Sequence, residues 1–411
     1  MHDAATGQLQ VSHPELATVG DFLLAGNRDY RQHEGVFLEV GETSGALFGA
    51  FIDRSCRGQS QGGLRYWPYA SLAAFLRDGL RLATGMTRKN ALAGLWWGGG
   101  KGLIARAPGE AYRDQGRRAE LYRDYAAFVT SLRGCYITAE DAGTGAADMA
   151  TVHEGTRFVT CIPRASGGSG NPSPATARGV VCAMEGALAH LQLGTLAGKH
   201  IVMQGTGNVG AAMIEELLKR GVAGIVASEL SAERRAELAQ RFAFAPLELL
   251  AAEPGDNSIL TLPCDVLAPN ALGGILNPET IPTIRARVVC GAANNQLLDD
   301  ERDAAALAAR GIVYVPDYLC NRMGIVHCAN EQYGYVPHDP AIERHFGREW
   351  DNSVYLITRR ALERAASEGI TTAAAANQLA DDLAGELHPI WGHRTRAIIT
   401  GLVAEGWHLA C

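Results

Sequence analysis

Lys101 lies in a glycine-rich segment, GLWWGGGKGLI (residues 94–104), with three glycines directly before it and one directly after it. Glycines let a backbone and a ligand approach closely, so this lysine is a candidate either to bind a phosphate or to act as a desolvated catalytic amine. A phosphate-binding P-loop reads G-x-x-x-x-G-K followed by Ser or Thr. Leu95 stands where that pattern needs its first glycine, and Gly102 follows the lysine. The spacing therefore excludes a P-loop.

Two interpretations of Lys101 remain. Trp96 and Trp97 indicate an apolar setting, which lowers the pKa of an amine, whereas a surface glycine turn with a solvated lysine is the alternative. Two further ionisable residues precede and follow it: Lys89 in MTRKNALAGL and Asp141 in YITAEDAGTGAADM. Lysines are usually solvated, and Asp141 could cap a helix. No single one of these residues identifies a site.

A second group of residues has the spacing of a dinucleotide site. The segment Gly205-Thr-Gly-Asn-Val-Gly210 follows an apolar run, IVMQ, that predicts a strand, and it precedes a helical pattern, AAMIEELLKRG. Glu229 ends the next predicted strand. In this context the glycines permit a tight turn and close approach to a pyrophosphate, and the helix N-terminus supplies free N–H groups. A bare turn at the start of a helix is the alternative.

The predicted cofactor-binding residues of this segment are Gly205, Gly207, Asn208, Val209, Gly210 and Glu229. Glu229 would bond the ribose hydroxyls and repel a 2′-phosphate, which favours NAD over NADP. Arg234 and Arg235 lie further along the following helix, too far to reverse this preference.

The secondary structure that must position these residues follows two different patterns along the chain. Residues 36–52 predict two strands around a G-E-T-S-G turn, and residues 71–83 and 119–134 predict helices. From about residue 175 strands and helices alternate, which predicts a parallel sheet. The predicted fold class is α/β: an N-terminal α/β domain with a mixed sheet, a Rossmann-type doubly wound NAD-binding domain, and a cleft between them. The domains are predicted as residues 1–172, with 348–411 packing back on them, and residues 173–347.

Composition excludes several function classes. The 411 residues carry a net charge of −7, which argues against nucleic-acid and anionic-membrane partners. No apolar run reaches about 18 residues, and the opening MHDAATGQLQ lacks a signal pattern, so a cytoplasmic location is expected. Nine scattered cysteines predict free thiols. The spacing of Cys320, His327 and Cys328 matches no zinc pattern, so no metal is predicted.

Eight segments together resemble the amino acid dehydrogenase family, which includes glutamate, leucine, valine and phenylalanine dehydrogenases. In chain order they are GGLRYWPY, MTRKNALAGLWWGGGKG, ITAEDAGT, SGNPSPATARGV, QGTGNVG, APNALGG, GAANNQL and YVPDYLCN. The resemblance covers roughly residues 36–345. SGNPSP and ANNQL make it most similar to the leucine and phenylalanine branch.

The resemblance implies NAD-dependent oxidative deamination of an L-amino acid to a 2-oxo acid and ammonia by a homo-oligomer. It implies that Lys89, helped by the backbone around Gly63, binds the substrate carboxylate. Lys101 would activate the attacking water, and Asp141 would move protons to and from the substrate nitrogen. Two further residues receive roles in the same way: Asn294 would contact cofactor or substrate, and Thr176 the nicotinamide amide.

Departures from the family pattern limit which class of substrate side chain is expected. Glutamate dehydrogenases carry a lysine before the paired glycines to hold the side-chain carboxylate, whereas this chain has Gln61 there. An apolar or aromatic side chain is therefore expected, because a buried carboxylate without a cation is costly. The segment Asn321-Arg-Met-Gly324 replaces the N-A-G-G of the branch, and Arg322 could receive a polar substituent. The alternatives are another side-chain specificity, including glutamate, a hydroxy-acid dehydrogenase, or a non-catalytic NAD-binding homologue.

Overall fold

The computed structural model describes residues 11, 16–25, 29–107, 114–331, 334 and 336–407. They form two compact units, each with its own sheet. Unit 1 comprises the described residues within Met1–Asn171, Cys328–Tyr335 and Ala380–Cys411, and unit 2 those within Pro172–His327 and Val336–Leu379.

The described residues form eleven strands and fourteen α-helices, each numbered in chain order. The strands are β1 (Gly35–Val40), β2 (Leu47–Ile52), β3 (Ser60–Trp67), β4 (Gly98–Ala105), β5 (Tyr136–Glu140), β6 (His200–Gln204), β7 (Gly224–Glu229), β8 (Leu247–Ala251), β9 (Cys264–Pro269), β10 (Ala286–Val289) and β11 (Val313–Tyr314). The α-helices are α1 (Ala17–Leu24), α2 (Leu72–Leu92), α3 (Gln115–Ser131), α4 (Ala146–Gly155), α5 (Ser173–His190), α6 (Asn208–Lys219), α7 (Ala232–Arg241), α8 (Arg302–Ala309), α9 (Asp317–Cys320), α10 (Met323–Ala329), α11 (Pro340–Glu343), α12 (Val354–Glu368), α13 (Thr372–Ala384) and α14 (Arg394–Ala404).

The sheet of unit 1 is mixed, as predicted. Its order is β1-β2-β4-β3-β5. The pairs β1–β2 and β2–β4 are antiparallel, and the pairs β3–β4 and β3–β5 are parallel. The first two strands flank the G-E-T-S-G turn, which confirms the hairpin predicted over residues 36–52. Parallel pairing brings the carboxyl ends of β3, β4 and β5 to one edge of the sheet.

Each face of this sheet is covered by a helix. Ser71 caps α2 by accepting a hydrogen bond from Ala74 N at 3.1 Å, and the helix continues to Leu92, beyond its predicted apolar stretch. A first core lies between α2 and the sheet: Phe51, Phe75, Leu76, Leu80 and Leu103. The core on the α3 side also takes in two residues of α14: Phe48, Leu64, Tyr125, Phe128, Tyr136, Ile399 and Leu402.

The sheet of unit 2 is entirely parallel, in the order β11-β10-β9-β6-β7-β8. Counted from β8 this is the 3-2-1-4-5-6 order of the doubly wound Rossmann fold, which confirms the predicted fold class. The strand order reverses between β6 and β9, and ligands of such sheets bind outside the strand ends at this reversal. The G-x-G-x-x-G segment follows β6, so it lies at that point.

The C-terminal part of the chain is divided between the units. The predicted first domain included residues 348–411. Residues 380–407 do lie in unit 1, but α12 belongs to unit 2 because its buried face packs against α5. The packing is close, since a Cβ at Gly186 of α5 would approach Tyr355 O to 2.9 Å. The cleft predicted between the domains stays a prediction.

Two predictions from composition can be compared with the structure. No helix in the described ranges is long and apolar enough to cross a membrane. The eight cysteines that the structure describes are free thiols, as expected: Cys56, Cys135, Cys161, Cys182, Cys264, Cys290, Cys320 and Cys328. The expected cytoplasmic location stays a prediction.

Candidate active site

Lys101 is a buried residue of β4, only 4% exposed. Strand alternation puts it on the α2 side of the sheet with Leu103. Its Nζ atom donates a hydrogen bond to Oδ2 of Asp141 at 2.6 Å. The solvated surface lysine considered from the sequence is therefore wrong, and the desolvated amine is the interpretation that the structure supports.

The glycines around Lys101 make room for packing on both faces of β4. A Cβ at Gly99 would come within 2.0 Å of Thr87 Oγ1 on α2, and a Cβ at Gly102 within 2.2 Å of Tyr125 Oη on α3. Both helices can therefore lie close against the strand. Lys101 is buried because the glycines beside it let both helices pack closely against β4.

Asp141 lies directly after β5 and pairs with a second cation besides Lys101. Arg65 of β3 donates from Nε to Asp141 Oδ2 at 3.2 Å, and its Nη1 bonds both carboxylate oxygens of Asp78 at 3.1 and 3.2 Å. Tyr69 Oη also donates to Asp78, at 2.7 Å. Sequence analysis gave Arg65 no role. The available signal was its place two residues after Gly63, since alternate residues of a strand share a face.

These contacts set the ionisation of the pair. Burial lowers the pKa of Lys101 from its usual value, the Asp141 carboxylate opposes that shift, and Arg65 adds to it. Burial alone would raise the pKa of Asp141, but Lys101 and Arg65 outweigh it and lower that pKa to about 2. Asp141 is therefore a carboxylate at neutral pH. Lys101 is an amine whose proton is easier to remove than that of an ordinary lysine.

The two residues predicted to hold a substrate carboxylate lie on neighbouring elements of unit 1. Lys89 is half-buried in the last turn of α2. Gly63 of β3 pairs with Ala139 of β5, and a Cβ there would come within 2.8 Å of the Asp141 Cβ. A side chain at position 63 would thus displace Asp141, so the glycine keeps β3 against the Lys101–Asp141 pair.

The paired tryptophans have different environments. Trp97 is buried at 7% exposure, whereas Trp96 is 42% exposed. The Trp96 ring lies under the guanidinium of Arg57, 4.2 Å from its centroid, and near His388. The interpretation that both rings mark an apolar setting is therefore wrong for Trp96.

The glycine segment of unit 2 has the geometry of an anion-binding turn. Gly205 has φ +93°, and a Cβ at Gly210 would come within 2.5 Å of Gly205 O, so neither position tolerates a side chain. A Cβ at Gly207 would meet nothing within 4 Å, which leaves that face of the turn open. Asn208 and Val209 begin α6 directly after it. The open turn and helix N-terminus fit the pyrophosphate of a dinucleotide.

Glu229 ends β7 and is held against this turn. Its carboxylate accepts hydrogen bonds from Thr206 N at 3.2 Å, Thr206 Oγ1 at 2.7 Å and Ser231 N at 3.0 Å. Burial would raise the pKa of Glu229, but these bonds outweigh burial and lower it. Arg234 also reaches the turn, donating from Nε to Thr206 O at 3.2 Å. Arg234 also pairs with Glu237 at 2.7 Å, and the expected preference for NAD over NADP stays a prediction.

Asn294 and Thr176 both belong to unit 2. Asn294 is exposed after β10, and its Oδ1 accepts a hydrogen bond from Asn321 Nδ2 at 2.7 Å. Thr176 is buried in the first turn of α5 and donates to Pro172 O at 3.0 Å.

Arg322, for which a polar substituent was considered, is fully buried and donates to Asn352 O. Burial lowers its pKa to about 9. This contact is structural and lies within unit 2.

Comparisons with known proteins found similar sequences and structures. The family model "Glutamate/Leucine/Phenylalanine/Valine dehydrogenase" matches residues 167–382, and "Glu/Leu/Phe/Val dehydrogenase, dimerisation domain" matches residues 47–158. Leucine dehydrogenase of Bacillus cereus is 40% identical over 327 residues, which are 79% of this chain and 83% of that protein. Valine dehydrogenase of Streptomyces coelicolor is 37% identical, over 88% of this chain and 94% of that protein. The crystal structure of L-tryptophan dehydrogenase from Nostoc punctiforme superposes with a TM-score of 0.69 at 32% identity, covering 86% of this chain and 96% of that one.

Proposed function

The chain belongs to the Glutamate/Leucine/Phenylalanine/Valine dehydrogenase family, and from this we propose that it oxidises an L-amino acid with an apolar or aromatic side chain, using NAD. It is an amino acid dehydrogenase. In the proposed reaction the amino acid, NAD⁺ and water give the 2-oxo acid, ammonia and NADH with a proton, reversibly. The observation that carries the proposal is the buried Lys101–Asp141 pair, with its 2.6 Å contact and depressed lysine pKa.

The chain's own residues account for the proton transfers. NAD, when bound, supplies the hydride acceptor. Asp141, ionised near neutrality, accepts a proton from the substrate nitrogen. Lys101, whose pKa is lowered, takes a proton from the attacking water and returns it as the leaving nitrogen departs. Lys89 and the backbone around Gly63 hold the substrate carboxylate.

Gln61 supports the apolar or aromatic class of side chain. It is fully buried on β3, on the same sheet face as Gly63 and Lys101, and it is neutral. It therefore offers no charge to balance a side-chain carboxylate such as that of glutamate. Its Oε1 and Nε2 atoms have no hydrogen-bond partner in the described part of the chain. An indole N–H, on an otherwise apolar side chain, would pair with that oxygen.

A substrate panel tests the proposal directly. Purified protein is mixed with NAD and with leucine, valine, phenylalanine, tryptophan or glutamate, and NADH absorbance is followed. We expect turnover with at least one apolar or aromatic L-amino acid and little with glutamate, lactate or malate. Preference for glutamate would overturn the side-chain class. Turnover of a hydroxy acid would overturn the reaction, and NAD binding without turnover of any L-amino acid would indicate a non-catalytic homologue.

Cofactor preference is expected to depend on Glu229. Glu229→Ala removes the anion that would bond the ribose hydroxyls, and a hydrogen bond to a charged group contributes about 1.5–3 kcal/mol. We expect KM for NAD to rise about tenfold or more, kcat at saturating NAD to change only a few-fold, and discrimination against NADP to fall. Steady-state kinetics with both cofactors measures this.

Arg234→Ala is the matched control, because it removes a cation of α7 that donates to the same turn at Thr206 O. It should impair any use of NADP and leave KM for NAD within a few-fold. An unchanged NAD to NADP ratio of kcat/KM in Glu229→Ala would contradict the assignment of Glu229.

We also propose an oligomeric assembly and a cellular location. The matching "dimerisation domain" model covers residues 47–158, which supports a homo-oligomer built through the first domain. A cytoplasmic location is proposed from the sequence pattern alone.

A further inference from the structure

Three segments of unit 1 bring a carboxylate, a thiol and an imidazole together. Glu34 directly precedes β1, Cys56 lies in the turn after β2, and His393 directly precedes α14. One ligand atom from each lies within 4.8 Å of the other two. We refer to Glu34, Cys56 and His393 as the carboxylate–thiol–imidazole cluster.

Ser55 orients the carboxylate of this cluster. Its backbone N–H donates to Glu34 Oε1 at 3.1 Å, and its hydroxyl donates to Glu34 Oε2. His393 Nε2 lies 3.1 Å from Glu34 Oε1 and 3.2 Å from Ser55 Oγ. Outer partners that fix ligand orientation in this way are typical of metal sites.

The backbone of the thiol is tied to the same C-terminal segment as the imidazole. His388 N donates to Cys56 O at 2.9 Å. Glu34 is buried, whereas Cys56 and His393 are half-buried, so the inner end of the cluster is shielded and its outer end is open to an ion.

The donor set selects the metal. Calcium and magnesium prefer oxygen ligands throughout, whereas zinc takes sulfur, nitrogen and carboxylate oxygen together at about 2.0–2.3 Å. Tetrahedral ligands at these lengths lie about 3.3–3.8 Å apart. The observed limit of 4.8 Å is therefore about 1 Å wider than a closed site, a distance that side-chain rotation can cover.

We propose that Glu34, Cys56 and His393 bind one Zn²⁺ ion, with water as the fourth ligand. The ion joins the start of β1, the turn after β2 and the start of α14. It fixes the C-terminal segment to the first strands of unit 1 and takes no part in the proton transfers at Lys101 and Asp141. The spacing of Cys320, His327 and Cys328 predicted no metal, whereas Glu34, Cys56 and His393 are far apart in the chain.

The zinc content of the purified protein tests whether the cluster binds a metal ion. The full-length protein is stripped with EDTA, dialysed against Zn²⁺ and analysed for zinc. We expect about one zinc per chain in the wild type and a small residual fraction in Cys56→Ser. Cys264→Ser is the matched control, because Cys264 is also a half-buried free thiol but belongs to unit 2. It should keep the wild-type zinc content.

Cobalt spectroscopy identifies the ligands without relying on a variant that must fold. Co²⁺ added to the stripped wild type should give a thiolate-to-metal charge-transfer band in the near ultraviolet, and Zn²⁺ should remove it by displacement. Zn²⁺ should also raise the Tm of the wild type but not that of Cys56→Ser. Equal zinc content in wild type and Cys56→Ser, or no thiolate band in the wild type, would overturn the proposal and leave an ion pair between His393 and Glu34.

Discussion

Replacing Lys101 with alanine is expected to lower kcat by about 10²–10⁴-fold, the usual contribution of a positioned acid–base group. Lys101 is the buried amine that contacts Asp141, and its pKa is lowered by burial. The proposed dinucleotide site uses Gly205–Gly210 and Glu229 instead, so the dissociation constant for NAD should remain within a few-fold. Stopped-flow or steady-state NADH formation and a fluorescence titration with NAD measure the two quantities.

Two other lysines serve as comparisons for this variant. Lys199→Ala removes a lysine that is paired with an aspartate in unit 2, at 3.8 Å, and should leave kcat within a few-fold. Lys89→Ala should mainly raise the KM of the amino acid, because a carboxylate anchor acts in ground and transition states alike. If Lys101→Ala kept its kcat but lost NAD affinity, the glycine–lysine segment would be a phosphate site.

Replacing Asp141 with asparagine is expected to lower kcat over a similar range of about 10²–10⁴-fold. The substitution keeps the shape of the side chain but removes the carboxylate that would receive the proton of the substrate nitrogen. It also removes the strongest influence that opposes the effect of burial on Lys101. The pKa of Lys101 should therefore fall further. In the pH profile of the residual activity, the rise that reports deprotonation of Lys101 should move to lower pH.

Asp148→Asn is the matched control for loss of a buried ion pair. Asp148 pairs with Arg118 at 2.6 Å, and its side chain is 13% exposed against 18% for Asp141. It should lose stability in the same way but keep kcat within a few-fold and leave the pH profile in place. A pH profile that moves to higher pH in Asp141→Asn would contradict the assigned influence of Asp141 on Lys101.

The elements that the sequence predicted well are those defined by short, local patterns. The turn Gly205–Gly210 follows β6 and opens α6, and Glu229 ends β7, because a strand, a glycine turn and a helix are adjacent in the chain. The hairpin of β1 and β2 was predictable for the same reason. The strand β8 was not predicted. It is an edge strand in which no residue is buried, and its sequence LELLA has no regular alternation of apolar and polar residues.

The contacts missed from the sequence join distant positions. Arg65 meets Asp141 because β3 and β5 are neighbours, which strand order alone decides. Arg234 reaches Thr206 O through its long side chain, although it lies in the next helix. Trp96 and Trp97 show the converse, because they are neighbours in the sequence but one is exposed and the other is buried. Local composition indicates a residue's chemistry, and the three-dimensional neighbours decide its role.

The return of residues 380–407 to unit 1 also determines the order in which the chain can fold during its synthesis. The strands β1–β5 leave the ribosome early, but the core on their α3 side is completed by Ile399 and Leu402 of α14. Unit 2 lies between these two parts of the chain. The core of unit 1 therefore stays incomplete, with part of its hydrophobic surface exposed, until α14 is translated. By then all of unit 2 has already emerged.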